Sequence, residues 1–364
     1  MKKNKVLFLA LHRPDRSPSQ RFRFEQYIDF LNQHEFVCKQ IFLLNQHDDK
    51  IYYSKGKFLT KIIILIKSIF KLLKKILFSK YEIVFIQREG FMLGTSIFER
   101  LFSYRSKIIF DFDDSIWRQQ TGENKSNNKR LQFLKNPDKT KDLISLSHMI
   151  FAGNEYLANF ALQYNSNVKI IPTTIDTDKY RITIKQKKER VCIGWSGSFS
   201  TIIHFEFIVE YLEKLINKYG SLIYFKVIGD ENYVNPKLNL KGSRWNHETE
   251  VKDLSEIDIG IMPLPDDEWT KGKCGLKGLQ YMALGIPTIM SPVGVNTTII
   301  QDGINGFLAY SPDDWISKLS ILIENEHMRN EMGNKGRETV ETYYSVNSNK
   351  DLYLKYFREL LKSN

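Results

Sequence analysis

Lys273 and Lys277 stand four residues apart where a glycine-bearing loop, Lys273-Cys274-Gly275-Leu276-Lys277-Gly278, opens a short helix-length run that ends at Leu284. A tight Gly285-Ile286-Pro287 turn, a buried strand and a second glycine loop, Ser291-Pro292-Val293-Gly294-Val295-Asn296, follow. Backbone N–H groups at the start of a helix, the positive end of its dipole and two fixed ammonium groups make a pocket for a diphosphate. The same residues also read as an ordinary loop–helix–strand unit with solvated lysines, because such loops are common in α/β proteins.

Three further loops carry groups with chemistry. His12-Arg13-Pro14-Asp15-Arg16-Ser17-Pro18-Ser19-Gln20-Arg21-Phe22-Arg23 follows the first apolar run, with a helix opening near Ser19. Arg21 and Arg23 then lie near that helix start, where they suit an anionic ligand or simply stand at the surface. Phe110-Asp111-Phe112-Asp113-Asp114 ends a strand, with Asp111 and Asp113 on one face by alternation. Carboxylates clustered in this way are solvated, paired, or hold a metal or substrate hydroxyls; two acids one residue apart are a weak metal signal. Gly194-Trp195-Ser196-Gly197-Ser198-Phe199-Ser200-Thr201 lets backbone approach a ligand closely, and Ser200 or Thr201 can cap the helix that follows.

These loops need a scaffold. Apolar runs of strand length recur at 5–11, 36–43, 82–87, 107–112, 148–152 and 168–172. After a charged, irregular stretch from Thr173 to Arg190 a second series follows at 191–195, 222–228, 257–262, 286–290 and 307–309. Helix-length amphipathic segments separate them, the pattern of βαβ units on parallel sheets. The chain is expected to form two Rossmann-like, doubly wound α/β domains, 1–172 and 173–344, with a helix over 345–364. Ligands of such sheets bind beyond the carboxyl ends of the strands, so a cleft between facing domains is the expected site.

Net charge of +11 asks for an acidic partner. From Lys55 to Lys80 there are eight lysines and no acid, interleaved with aliphatic residues and phenylalanines. The lysines interrupt the run too often for a membrane-spanning helix. A basic amphipathic helix lying on an anionic membrane fits, and so does a core helix with a lysine face. No nucleic-acid-binding motif accompanies the charge, so nucleic acid is not expected. Cys38, Cys192 and Cys274 are far apart and match no metal spacing, which suggests a reducing compartment. Val6 to Leu11 is of strand length and no small-residue cleavage site follows it, so a signal peptide is not expected.

Taken with Ile86-Gln87-Arg88-Glu89, Gly153-Asn154-Glu155-Tyr156-Leu157-Ala158 and Ile171-Pro172-Thr173-Thr174-Ile175-Asp176, these motifs give the chain a resemblance to glycosyltransferase family 4 over nearly its whole length. The resemblance implies the GT-B fold, a last helix crossing back onto the N-terminal domain, and a retaining transfer from a UDP- or GDP-sugar without metal or other cofactor. It also implies that Gln280 and Gly272 occupy the places of two glutamates, one binding ribose and one the donor sugar. A glutamine can still accept from and donate to a diol; Gly272 offers only backbone.

On this resemblance the diphosphate falls to Lys273, Lys277, Gly275, Leu276, Gly197 and Ser198, with Lys277 also stabilising the departing charge. Base recognition falls to the Gly229-Asp230 and Arg244-Trp245 loops. Asp113 stands where the family often has a histidine beneath the donor sugar, and is the candidate to hold a sugar hydroxyl or stabilise a developing oxocarbenium charge. Arg21 and Arg88 face the acceptor, and a glycan or lipid-diphosphate acceptor suits them. The implied setting is the cytoplasmic face of a cell membrane, in cell-envelope polysaccharide synthesis. A nucleotide-sugar epimerase of the same fold and a non-catalytic nucleotide-sugar-binding subunit remain as alternatives.

Overall fold

The computed structural model describes residues 3–118, 136, 138–183 and 189–362; part of the irregular stretch before Arg190, 184–188, lies outside them. The chain divides into two units, 1–172 with 350–364, and 173–349.

In the first unit six strands pair in parallel: β1 (Asn4–His12), β2 (Phe36–Leu44), β3 (Ile83–Gln87), β4 (Lys107–Phe112), β5 (Met149–Ala152) and β6 (Val168–Ile170). Their order is β2-β1-β3-β4-β5-β6. Val6 to Leu9 and Ile83 to Ile86 are wholly buried, as continuous apolar strands covered on both faces must be. The second unit contains β7 (Val191–Ser196), β8 (Ile223–Ile228), a small antiparallel pair β9 (Val234–Asn235) and β10 (Leu240–Lys241), then β11 (Ile259–Met262), β12 (Thr288–Met290) and β13 (Phe307–Leu308). Its main sheet is parallel in the order β13-β12-β11-β7-β8. The strands of the two main sheets follow the apolar runs of the sequence closely. The β9–β10 pair does not, because two-residue strands among polar neighbours carry no periodicity.

Each order reverses direction once, at β1/β3 in the first unit and at β7/β11 in the second. There the loops leaving two neighbouring strands run to opposite faces and open a crevice. Of the loops singled out by chemistry, those after β1, β3, β7 and β11 flank these two points, whereas Asp113 and Asp114 follow β4 and residues 291–296 follow β12.

The helix Val346–Lys362 belongs from Lys350 onward to the first unit. Tyr353 stacks on Tyr27 at 4.3 Å, and Phe357 lies against Phe8, Phe36 and Phe85 at 6.2, 5.7 and 6.2 Å. Tyr353 also donates its hydroxyl to the Arg23 carbonyl at 3.1 Å. These rings, with Phe24, fill the face of the sheet that Phe8, Phe85 and Phe151 present, so the helix completes that core.

The helix Phe58–Phe78 buries only Ile64, Ser68, Leu72 and Ile76, one residue per turn. Leu59, Ile63, Ile66, Phe70 and Leu77 are exposed by 76, 51, 46, 68 and 60%. At 100° per residue they share the side opposite the buried stripe. The outward face is therefore apolar and is not the lysine face of an ordinary core helix. Lys67 and Lys74 edge it, while Lys71 is drawn back onto Phe42 of β2. Among the described residues no helix is long and apolar enough to cross a membrane.

Phe357→Ala is expected to destabilise the first unit by about 3–5 kcal/mol, as aromatic truncations in cores do. Urea unfolding followed by circular dichroism checks it, the transition of residues 173–349 serving as the internal reference.

Candidate functional site

In the second unit the loop after β7 is shaped by contacts with its neighbours. Gly197 donates to the Ile228 carbonyl at 2.9 Å, and a Cβ on it would come within 2.1 Å of the Trp195 ring. Thr201 turns back into this loop: its Oγ1 accepts from Ser198 N at 3.0 Å, and Ser198 Oγ lies 2.9 Å from Ser200 Oγ. It makes no side-chain cap for the helix Ile202–Glu206, contrary to the sequence expectation, because its hydroxyl is spent on closing the loop.

Gly275 starts the helix Leu276–Ala283 with φ +70°, the left-handed region that favours glycine. A Cβ there would also approach Ile299 Cδ1 to 2.3 Å. No side chain caps this helix and no acid lies in its first turn. Tyr281, buried on its inner face, accepts from Ser196 N at 2.7 Å and so ties the helix to the end of β7. Lys277 Nζ lies 5.2 Å from the centre of the Trp195 ring, and Lys273 Nζ 5.0 Å from that of Trp269.

His204, on the helix after the β7 loop, registers the charge gathered here. Burial pushes its imidazole down to about 4; Lys277 and Lys273 push the same way, and Asp267 opposes them. The histidine is neutral at pH 7 and the lysines project positive potential onto the switch point. An uncapped helix start, two ammonium groups and a small-residue loop together suit an anion with more than one phosphate.

Gln280 is buried in the same helix, its Nε2 donating to Tyr180 Oη at 3.0 Å and to Glu250 Oε1 at 3.1 Å. Arg244 is exposed beside Trp245, whose Nε1 donates to Glu250 at 2.9 Å. Gly229 donates to the Ser243 carbonyl at 2.7 Å, which brings the two loops assigned to the base together. Gly272 closes a buried helical turn, Thr270–Gly272.

In the first unit Arg88 follows β3 with φ +60°, an unusual backbone for a residue with a side chain. Its Nε donates to Asp113 at 2.7 Å, and Nη2 lies 3.6 Å from Asp114. Burial would raise the Asp113 carboxyl, but Arg88, with Arg23 and a hydrogen bond from Ser19, outweighs it and holds the group below the usual carboxylate range. Asp113 is thus a carboxylate at neutral pH.

Arg21 is 6% exposed and lies against the Phe22 ring. Arg23 departs from the expectation of a ligand-facing arginine. It is wholly buried, donates through Nε to Asp111 at 3.1 Å and through a terminal nitrogen to the Ile171 carbonyl, and is a fixture of the core. The helix carrying both begins at Pro18 after Ser17, not at a capping Ser19, since proline at its first position sets the backbone by itself. Among the described residues no group of three His, Cys, Asp or Glu side chains is placed to hold a metal.

Two clusters escaped the sequence. At the end of β1, His12 Nδ1 lies 3.3 Å from Asp49 and His12 Nε2 lies 3.3 Å from the Tyr53 hydroxyl, with Arg16 on Asp49 at 2.8 Å. Burial lowers His12 to about 4, against the pull of Asp49. The other is Tyr180–Glu250–Gln280, joined across 100 residues of sequence. No local signal announces either.

Residues 190–325 match the family model described as glycosyl transferases group 1. Among curated proteins the chain finds no match. Sucrose-phosphate synthase from Thermosynechococcus elongatus is similar over 100% of both chains, at 10% identity and a TM-score of 0.71. A glycosyltransferase from Rickettsia africae ESF-5 is similar over 100% of both at 15% identity and 0.66. HepE from Anabaena, solved in complex with UDP and glucose, is similar over 98% of this chain and 100% of its own, at 12% identity and 0.65. The shared architecture is the GT-B fold, two Rossmann-like units with parallel sheets.

An unfolded chain protonates histidine near pH 6.5, whereas folded His12 and His204 resist until about 4. The unfolded state therefore binds more protons in this window, and stability is expected to fall as pH drops from 6.5 toward 4. Urea midpoints between pH 7 and 4.5 check this, with a shallower slope in His204→Gln. Lys277→Met is expected to raise the His204 pKa, read by NMR titration.

Proposed function

We propose that this protein is a glycosyltransferase moving a sugar from a UDP- or GDP-sugar to a glycan or lipid-linked acceptor in cell-envelope polysaccharide synthesis. The observation that carries the reading is the site at the β7/β11 switch point, where Lys273 and Lys277 stand beside an uncapped helix start and add to the burial that keeps His204 neutral. The match of 190–325 to glycosyl transferases group 1 falls on this unit. HepE, similar in fold, has been solved with UDP and glucose.

Donor cleavage leaves negative charge on a departing diphosphate. Donors fixed before the reaction stabilise that charge without reorganising. Lys273, Lys277, the N–H groups of Gly275 and Leu276 and the Gly197-Ser198 loop fill this role, and no metal is needed. Gln280 accepts from the ribose hydroxyls, and the Arg244-Trp245 segment meets the base. Transfer retains configuration by attack on the leaving-group side, the departing phosphate oxygen taking the acceptor proton. In the first unit ionised Asp113 holds a sugar hydroxyl or stabilises developing oxocarbenium charge, and Arg88, with Arg21, meets the acceptor hydroxyls or phosphate.

A lipid-linked acceptor gives the outward face of the helix Phe58–Phe78 a purpose. Its exposed aliphatic stripe, edged by Lys67 and Lys74 and flanked by Lys55, Lys57 and Lys80, matches an anionic bilayer: apolar side chains enter the interface and ammonium groups meet headgroups. The protein then works peripherally on the cytoplasmic face of the membrane. A second reading, a nucleotide-sugar-binding subunit without turnover, is favoured by Gly272, which offers the donor sugar no side chain.

Incubating the protein with UDP- and GDP-sugars and lipid-diphosphate acceptors is expected to release UDP or GDP with sugar transferred. Binding without turnover for every donor selects the second reading. Lys277→Ala is expected to weaken UDP or GDP at least tenfold while changing uridine or guanosine little, by calorimetry; equal losses remove Lys277 from the phosphate site. Sedimentation with phosphatidylglycerol-containing vesicles is expected for the native chain, and to be lost in Ile66→Ser/Phe70→Ser.

A further inference from the structure

Glu250 is 5% exposed and opens the helix Glu250–Ser255. Its Oε2 accepts from the Tyr180 hydroxyl at 2.8 Å, and its Oε1 from Trp245 Nε1 at 2.9 Å and Gln280 Nε2 at 3.1 Å. Tyr180 is itself pinned, because Arg337 donates to its carbonyl and to that of Thr177. A tyrosine hydroxyl has one hydrogen; Tyr180 donates its own to Glu250 and so meets Gln280 as an acceptor. Both hydrogens of the Gln280 amide are thereby committed, one to Tyr180 and one to Glu250. Turning the amide over would set its carbonyl oxygen against a carboxylate. What Gln280 has left to offer a ligand is an acceptor oxygen, Oε1.

From this valence count we infer that Glu250 is a positioning residue for nucleotide recognition, orienting Gln280 so that its Oε1 accepts from a ribose diol. The inference rests on the nucleotide-binding reading above. It also accounts for the amide at position 280. A carboxylate there would face Glu250 at about 3 Å, where two like charges cannot both be held and one must take up a proton. With glutamine at 280 the pair keeps a single negative charge, on Glu250, and still presents the oxygen that a glutamate would present. Trp245, held by the same carboxylate, links this arrangement to the segment assigned to the base.

Two measurements test it, one with ligand and one without. Calorimetric binding of UDP and GDP is compared with that of their 2′-deoxy counterparts. The native chain is expected to prefer the ribonucleotide at least fivefold, and Glu250→Ala to reduce that preference to within twofold. A merely structural role for Glu250 would weaken both nucleotides equally and keep the ratio, which overturns the inference while leaving nucleotide binding standing. Binding of neither nucleotide by the native chain sinks the functional reading and this inference with it.

Without ligand, Gln280→Glu is expected to lower Tm at pH 8 and to recover it as pH falls and one carboxylate protonates. A Gln280→Glu variant as stable at pH 8 as the native chain shows that the two positions do not share a charge, and overturns the orientation argument independently of any nucleotide.

Discussion

A parallel sheet cannot reverse its strand order without parting the loops on either side of the reversal, and both units of this protein are built around that constraint. Strands β1 and β3 meet with the order running outward in both directions, and so do β7 and β11. The chain must leave one strand toward one face and its neighbour toward the other, and the gap left at the carboxyl ends is lined by backbone as much as by side chains. Small residues and helix starts accumulate there, in the loops that leave the strand ends. Gly197 and Gly275 keep the loops tight; Lys273 and Lys277 fill the gap with charge.

Charge is handled differently in the two crevices. In the second unit the lysines are gathered close to a histidine that stays neutral, so the local excess is positive. In the first unit cations and carboxylates are matched: Arg88 with Asp113 and Asp114, and Arg13 and Arg16 with Asp49. A positive pocket suits a compact polyanion. A matched, partly exposed array suits hydroxyl-rich or mixed ligands, which need donors and acceptors side by side. The proposed division of labour, donor in the second unit and acceptor in the first, matches these two balances.

Much of the architecture was legible in the sequence because buried parallel strands are continuous apolar runs whose ends need turn residues. The runs at 82–87 and 257–262 declare themselves without reference to any partner. The glycine-bearing loop at 273–278 and the helix it opens were equally readable, being contiguous. Partnerships over distance were hidden. Arg23 looks like a ligand-binding arginine until Asp111, 88 residues away, takes it into the core. Gln280 looks like a weakened glutamate until Glu250 and Tyr180 arrive from 30 and 100 residues away. The helix Phe58–Phe78 was visibly basic and amphipathic, but only packing against the sheet reveals which of its sides faces out.

Tyr353 and Phe357 bear on how the protein is made. The sheet of the first unit emerges from the ribosome first, yet the rings that close its aromatic face are translated after the whole of residues 173–349. The second unit is contiguous and can fold while the chain is still growing; the first must hold an unfinished apolar surface until the last helix arrives. Closing a loop of this size costs little more than closing one of half the length, so the penalty is one of waiting and not of equilibrium. During that interval Phe8, Phe24, Phe85 and Phe151 are a surface for chaperones or for aggregation. Nascent chains halted before residue 350 should carry a completed second unit and an incomplete first unit.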